Sequence, residues 1–324
     1  MKIETPSERN PHSSTGLASG FVRWLLNDDA FYQASDEKGT DKLDYFRLAV
    51  FTLIHLACLG VIYVGFSWIA LGVALALYVL RMFFITAFYH RYFSHKSYRV
   101  SRTTQFFMAL AGCSAGQRGP LWWASHHREH HVTSDTPEDP HSPRNGFFNS
   151  HTLWFLKKSN FSMKKERIKD MLKYPELVLL EKVDWIPFIA LAVFCFFLGA
   201  FLNNMYPELG TSGLQMLVWG FFISTVILYH ATYTINSLCH RFGRRRFDTS
   251  DDSRNNFFLA LLTLGEGWHN NHHRYPISTR QGFYWWEIDL SYFVLWLMSQ
   301  VGLVNSMRPV PAQVMLEARQ ENSR

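Results

Sequence analysis

The chain has 324 residues, 48% of them hydrophobic and 16% aromatic, with 32 Lys+Arg against 26 Asp+Glu. A charged fraction of 18% with 12 Pro excludes a disordered chain. The mean hydropathy of -0.07 is an average over long apolar runs and strongly polar blocks, a pattern that soluble domains do not show.

The first apolar run, Leu48 to Tyr89, contains one charge, Arg81. A bilayer core takes about 20 helical residues, so the run predicts two spans, 48–64 and 69–89, with a turn near Gly65-Phe66-Ser67. A second pair is predicted over 185–202 and 214–235. The joins at 65–67 and 203–213 carry no Lys or Arg, whereas 91–184 carries 15 and the chain from 236 onward carries 10. The positive-inside rule then places both termini and the middle segment in the cytosol. The basic balance reports topology, and nucleic acid is not a partner it calls for. Asp28 and Asp29 precede the first span without a cleavage pattern, so no signal peptide is expected.

Between and after the spans, Phe106–Ala115 and Phe257–Leu264 are too short to cross and read as re-entrant or interfacial pieces. The Lys-rich stretch from Lys157 to Lys182 reads as one or two amphipathic helices near anionic lipid. Trp285 and Trp286 introduce Tyr292–Val304, which reads as an interfacial helix. The expected fold class is therefore an all-α integral membrane protein. Its four transmembrane helices form two hairpins, and a cytosolic helical cap is built from 90–184 and 236–290. Residues 1–44 form a cytosolic segment, 45–290 the membrane domain, and 291–324 the interfacial helix and tail. Arg81, well inside the second span, calls for a polar cavity or partner. Cys58, Cys113, Cys195 and Cys239 are scattered without a CxxC pair, which excludes a disulfide framework and a zinc ribbon.

Ten of the 15 His fall at four places on the predicted cytosolic side: His90 and His95; His126, His127, His130 and His131; His240; and His269, His272 and His273. In His127-x-x-His130-His131 and His269-x-x-His272-His273 the spacing puts the rings on one helical face. Asn236 and His240 share a face, which Thr232 continues into the membrane. His90 and His95, five apart, suit a helix that ends between them. So many imidazoles repel one another if protonated, and a metal demands their neutral form. Nine exceed one ion's coordination, so two ions are the natural count. His55 and His230, inside spans, read as satisfied buried residues; His12, His141 and His151 read as surface-loop residues. Cys239 reads as a packed thiol.

These boxes, their order, and the Gly265-Glu266-Gly267-Trp268-His269-Asn270-Asn271-His272-His273 ending resemble the membrane-bound fatty acid desaturases, specifically the acyl-CoA Δ9 (stearoyl-CoA desaturase-like) branch. The likeness covers about residues 45–290. It implies a di-iron centre held by His90, His95, His127, His130, His131, His240, His269, His272 and His273, with Asn236 touching one iron through a water. It also implies that O2 and two electrons convert a saturated acyl-CoA chain to its cis-unsaturated form. Ser125 and His126 depart from the Arg-Asp pair common in acyl-CoA members, and His126 is read as a non-ligand. Glu266, Glu129 and Asp135 are candidates to orient the imidazoles. Alignment by spacing puts Gln117, Trp123 and Thr232 around the bend of an acyl tunnel, while Tyr78 and Met82, with Thr86, lie on the helix face below His90. The sequence has no fused haem element, so an external donor is implied, a cytochrome b5 or ferredoxin-type protein with its reductase. The membrane would be the inner or plasma membrane in a bacterium and the endoplasmic reticulum in a eukaryote. Alternatives are a desaturase of phospholipid- or carrier-protein-linked chains, a membrane di-iron hydroxylase, and a metal transporter.

Overall fold

The computed structural model describes residues 22–27 and 42–321. His12, Asp28 and Asp29, and with them the signal-peptide expectation, lie outside the described residues. Those described are helical, joined by turns and isolated bridges.

Among the described residues four helices are long and apolar enough to cross a membrane: α1 (Tyr45–Val64), α2 (Trp68–Ser94), and, later in the chain, Trp185–Met205 and Gly213–Ser237. α1 starts three residues before the expected boundary because Asp44 caps it, its carboxylate accepting from the N–H groups of Phe46 and Arg47 at 3.1 Å. It ends at Gly65, whose φ of +67° suits a residue without Cβ. The Ser67 hydroxyl then caps α2, accepting from Ala70 N–H at 3.4 Å.

α2 overruns its expected end at 89. Its winding widens into π-helical turns over Phe84–Ser94, and His95 N–H donates to His90 C=O at 3.3 Å, five residues back. The helix does end between the two histidines, at Ser94 with His95 as its C-cap, but it reaches that end in π-helical winding. A five-residue turn keeps residues five apart on nearly the same side, where α-helical winding separates them.

The first long connection holds α3 (Arg102–Cys113) and α4 (Pro120–Thr133), followed by short turns and α5 (Pro175–Lys182). The 157–182 stretch is more broken than expected. Lys169–Leu172 and α5 are its only helices longer than one three-residue turn, and Pro175 separates them. Its Ile168, Met171, Leu177 and Leu180 are nevertheless buried in the core that holds Phe88, Tyr89 and Tyr98 of the α2 region. The third and fourth long apolar helices are α6 (Trp185–Met205) and α7 (Gly213–Ser237). After them come α8 (Phe257–Leu262), α9 (His269–Arg274), α10 (Leu290–Gln300) and α11 (Ala312–Glu321). α10 has 11 residues, roughly 16 Å of helix, too short to span. Trp285, Trp286, Phe293 and Trp296 are exposed around it.

Arg81 is 1% exposed and finds polar partners rather than a carboxylate. Its guanidinium donates to Thr225 Oγ1 (2.8 Å), Ser224 Oγ (2.5 Å), Leu77 C=O (3.2 Å) and Ser114 C=O (3.5 Å). It thereby ties α2 to α7 and to the turn after α3. Replacing Arg81 by Met is expected to cost about 1–2 kcal/mol, read as a lower unfolding midpoint in detergent. An unchanged midpoint would show that these bonds do not hold the helices together.

Candidate metal centre

The histidines arrive from four elements. π-winding at the end of α2 supplies His90 and His95; α4 supplies His127, His130 and His131; the turn after α7 supplies His240; α9 supplies His269, His272 and His273. They converge as two groups, within each of which the ligand atoms lie within 4.8 Å of one another. One group is His90, His95, His127, His131 and His272; the other is His130, His240, His269 and His273. His126 joins neither: it is buried, and its Nε2 donates to Ser162 C=O at 3.2 Å. Asn236 lines the adjoining cavity.

Proton placement tests whether these residues suit a metal. His240 Nδ1–H donates to Asp135 (2.7 Å), His130 Nδ1–H to Asp139 (2.9 Å) and His273 Nδ1–H to Asp251 (2.5 Å), while His90 Nδ1 pairs with Glu266. Each carboxylate fixes the tautomer, so the inner Nε2 carries a lone pair. His273 Nε2 is buried without a partner. Elsewhere inner nitrogens face each other at contact distance: His95–His127 2.8 Å, His131–His272 2.9 Å, His90–His272 3.0 Å and His240–His269 3.0 Å. His90 and His240 bring lone pairs to such contacts, and a cation between the rings turns that repulsion into coordination.

The surrounding field favours the neutral form of most of these rings, whereas at His130 burial is outweighed by Asp139, which holds it above the ordinary imidazole value. Burial first, then the neighbouring His273, His95, His130 and His90, hold His131 well below the ordinary imidazole value. His127 and His272 are lowered in the same way, by burial and then by His90 and other rings. Burial pushes Asp135 up, but the His240 proton, the Asp252 N–H and the Ser142 hydroxyl outweigh it and bring it to about 2.

Of the three proposed orienting acids, Glu266 and Asp135 touch imidazoles and Glu129 does not. Glu129 accepts from Arg167 Nε at 2.5 Å on the outer side of α4. Glu266 is itself held by Arg91, fully buried, which also pairs with Asp289, and by Gln281 Nε2 at 2.9 Å. Sequence reasoning missed Asp139, Asp251, Gln281 and Arg91. The two aspartates sit in acidic, turn-rich stretches that look solvated, and only the fold brings them under the rings. The surface-loop expectation for His141 is overturned. The residue is 4% exposed and stacked on His130 with centroids 4.3 Å apart, because Asp139, two residues earlier, is drawn inward by His130. His151 is likewise half-buried, with Nε2 3.0 Å from His230 Nδ1.

A cavity of about 330 Å³ runs beside both groups, touching His90, His127, His130 and His269, within the size range of small-molecule sites. Gln117, Trp123, Thr232 and Met82 line it. Gln117 Nε2 donates to Thr232 Oγ1 at 3.0 Å, and Trp123 stacks on His127 with centroids 5.0 Å apart. Tyr78 is placed differently: it is not among the lining residues, and its hydroxyl donates to Leu262 C=O at 2.5 Å. Gln117 is presented by a tight turn with Gly116 at φ +66° and Arg118 at φ +71°. Tyr229 O–H donates to Gly116 C=O at 2.9 Å, and a Cβ on Gly116 would lie 2.5 Å from that hydroxyl. Beyond the turn Glu181 accepts from the N–H groups of Leu121 (2.9 Å) and Trp122 (3.0 Å), capping the helix that carries the middle box. Asn27, Arg47, Arg118 and Asp184 make the cavity polar toward one end.

If Asp135 and Asp251 orient ligands, Asp135→Asn and Asp251→Asn should each weaken metal retention about 10–100-fold in chelator competition. Glu129→Gln should leave it unchanged. Equal losses in all three would contradict the assignment.

Residues 66–296 match the fatty acid desaturase family. The chain is 38% identical to the acyl-CoA 5-desaturase AL21 of Anemone leveillei over 84% of its length and 81% of that protein's. It is 35% identical to delta-9 acyl-lipid desaturase 2 of Arabidopsis thaliana, over 96% of its length and 95% of that protein's. With the sn-1 stearoyl-lipid 9-desaturase of Anabaena variabilis it shares 36% identity, over 82% and 94%. Matched over most of its length and carrying two histidine groups beside a cavity, the chain belongs to the fatty acid desaturase family.

Proposed function

We propose that this oxidoreductase introduces a cis double bond, at Δ9, into a saturated fatty acyl chain, using O2 and two electrons at a di-iron centre. The carrying observation is that one cavity touches both histidine groups, so an acyl chain in it would lie against the ions that they would hold. His90, His95, His127, His131 and His272 would hold one iron. His130, His240, His269 and His273 would hold the other, with Asn236 reaching it through a water.

When bound, the iron pair supplies the O2 activation that breaks two methylene C–H bonds, chemistry beyond any side chain. The balance is CH2–CH2 + O2 + 2e⁻ + 2H⁺ → CH=CH + 2H2O. The chain's own residues position the substrate and keep water out. Gln117, Thr232 and Trp123 form the bend, and Met82, buried at the far wall with Thr86, limits depth. Tyr78 closes that end from behind through its bond to Leu262. Electrons would come from a cytochrome b5 or ferredoxin-type donor with its reductase, meeting the Lys- and Arg-rich face. That charge distribution also supports two hairpins with the histidine-bearing segments and termini in the cytosol.

For the carrier, the resemblance points to acyl-CoA, and the relatives include proteins named for acyl-CoA and for acyl-lipid substrates. Mass spectrometry of fatty acids from expressing cells, beside a His272→Ala control, tests the reaction. The expected result is a new cis monounsaturated acid with its bond at C9, absent from the control. Hydroxy acids, or no product despite a competent donor, would overturn the reading. Met82→Ala should deepen the cavity and raise turnover of longer chains relative to shorter ones, and an unchanged ratio would remove Met82 from the tunnel end.

A further inference from the structure

Three histidines outside the metal groups form a chain of their own. His55 Nε2 on α1 lies 3.1 Å from His230 Nε2 on α7, and His230 Nδ1 lies 3.0 Å from His151 Nε2 in the short helical segment 149–156. His151 Nδ1 lies 2.9 Å from Ser237 Oγ. The far end fixes the protons. His55 Nδ1 is 2.7 Å from Phe51 C=O, which can only accept, so His55 Nε2 must accept from His230 Nε2–H. His230 Nδ1 then accepts from His151 Nε2–H, and His151 Nδ1 from the Ser237 hydroxyl, whose proton also has Tyr233 C=O within reach at 3.0 Å. One arrangement satisfies all three neutral rings. The rings run in line, each inner one using both nitrogens, so they do not converge on an ion.

What the chain fastens is α1. Val50, Phe51 and Ile54 of this helix line the cavity, and Val50 is also 39% exposed on the outside. At this depth Val50 thus touches the cavity on one side and the outer surface on the other. Along the whole helix Ile54 is the one buried residue. α1 packs on residues 217–223 toward its far end and on 154–156 near its start. Between these contacts, beside the cavity, a polar link joins it to α7. Interdigitated apolar packing is hard to part, whereas a neutral hydrogen bond is weak enough to open and remake.

We propose that α1 is a side gate through which the acyl chain passes between the cavity and the bilayer, and that His55, His230 and His151 are its latch. This rests on the acyl desaturase reading. A gate in the membrane plane suits a chain that is already part of a bilayer lipid, or a product leaving into one.

The test uses the full-length holoenzyme in nanodiscs with an electron-donor system. His55→Cys/His230→Cys, with Cys58→Ser, is bridged by a reversible bifunctional methanethiosulfonate. Turnover is measured on stearoyl glycerolipid in the disc and on added stearoyl-CoA. The unbridged pair should keep its turnover, bridging should lower it about tenfold or more, and a reductant should restore it. Loss with the glycerolipid alone assigns the gate to substrate entry; loss with both substrates assigns it to product exit as well. Undiminished turnover of both substrates while bridged overturns the gate and leaves the desaturase reading standing. No product from wild type with either substrate overturns that reading and the gate with it. A second measurement avoids the double variant. Ile54→Cys should react with a membrane-partitioning maleimide about fivefold faster when His230→Ala, which removes the partner of His55, cuts the latch, and an unchanged rate overturns the proposal.

Discussion

Imidazole nitrogens that face one another at hydrogen-bond distance, with protons withdrawn to the outside, are the constraint on which this structure rests. His90, His130, His240 and His273 each hand an outer N–H to a carboxylate, which leaves lone pairs pointing inward. Such an arrangement is costly in a buried site unless positive charge sits between the rings. A cation bound here would couple folding to metal: it would stabilise the packing, and the packing aims the inner nitrogens at it.

The supporting carboxylates come from separate stretches of chain, and this explains the architecture around the spans. Asp135 and Asp139 follow α4, Asp251 lies after α7, and Glu266 precedes α9. Asp135 bonds His240 and also accepts from Asp252 N–H at 2.9 Å, so one aspartate joins the two long connecting segments. The cavity lies under this junction. Its wall carries histidines of both groups, the capped start of α4 and the tight turn at Gly116, so the placement of the rings and the shape of the cavity are set by one set of contacts. On the opposite wall α1 is fastened by a weaker, polar link.

Much of this was legible in the sequence because hydropathy and histidine spacing are local signals. Three of the four long helices begin and end within three residues of their expected limits, and the i, i+3, i+4 boxes fall on helices as periodicity requires. What was not legible depends on contacts distant in sequence or on unusual winding. Nothing in Phe84–Ser94 announces π-helical turns, yet they bring His95 under His90. Asp139 and His141 look like residues of a solvated loop until His130 is placed beside them. Glu129 looks as eligible as Asp135, but helical phase turns it outward to Arg167. Tyr78 shares the face of Met82, yet its hydroxyl reaches the α8 backbone and leaves the cavity to its neighbours.

A di-iron centre with one ion in each imidazole group is what the proposed chemistry requires. Anomalous X-ray diffraction at the iron edge, on crystals of protein from iron-supplemented cells, addresses it directly. Two peaks are expected, one among His90, His95, His127, His131 and His272 and one among His130, His240, His269 and His273. A single peak, or peaks that appear at the zinc edge instead in enzymatically active protein, would contradict the di-iron reading.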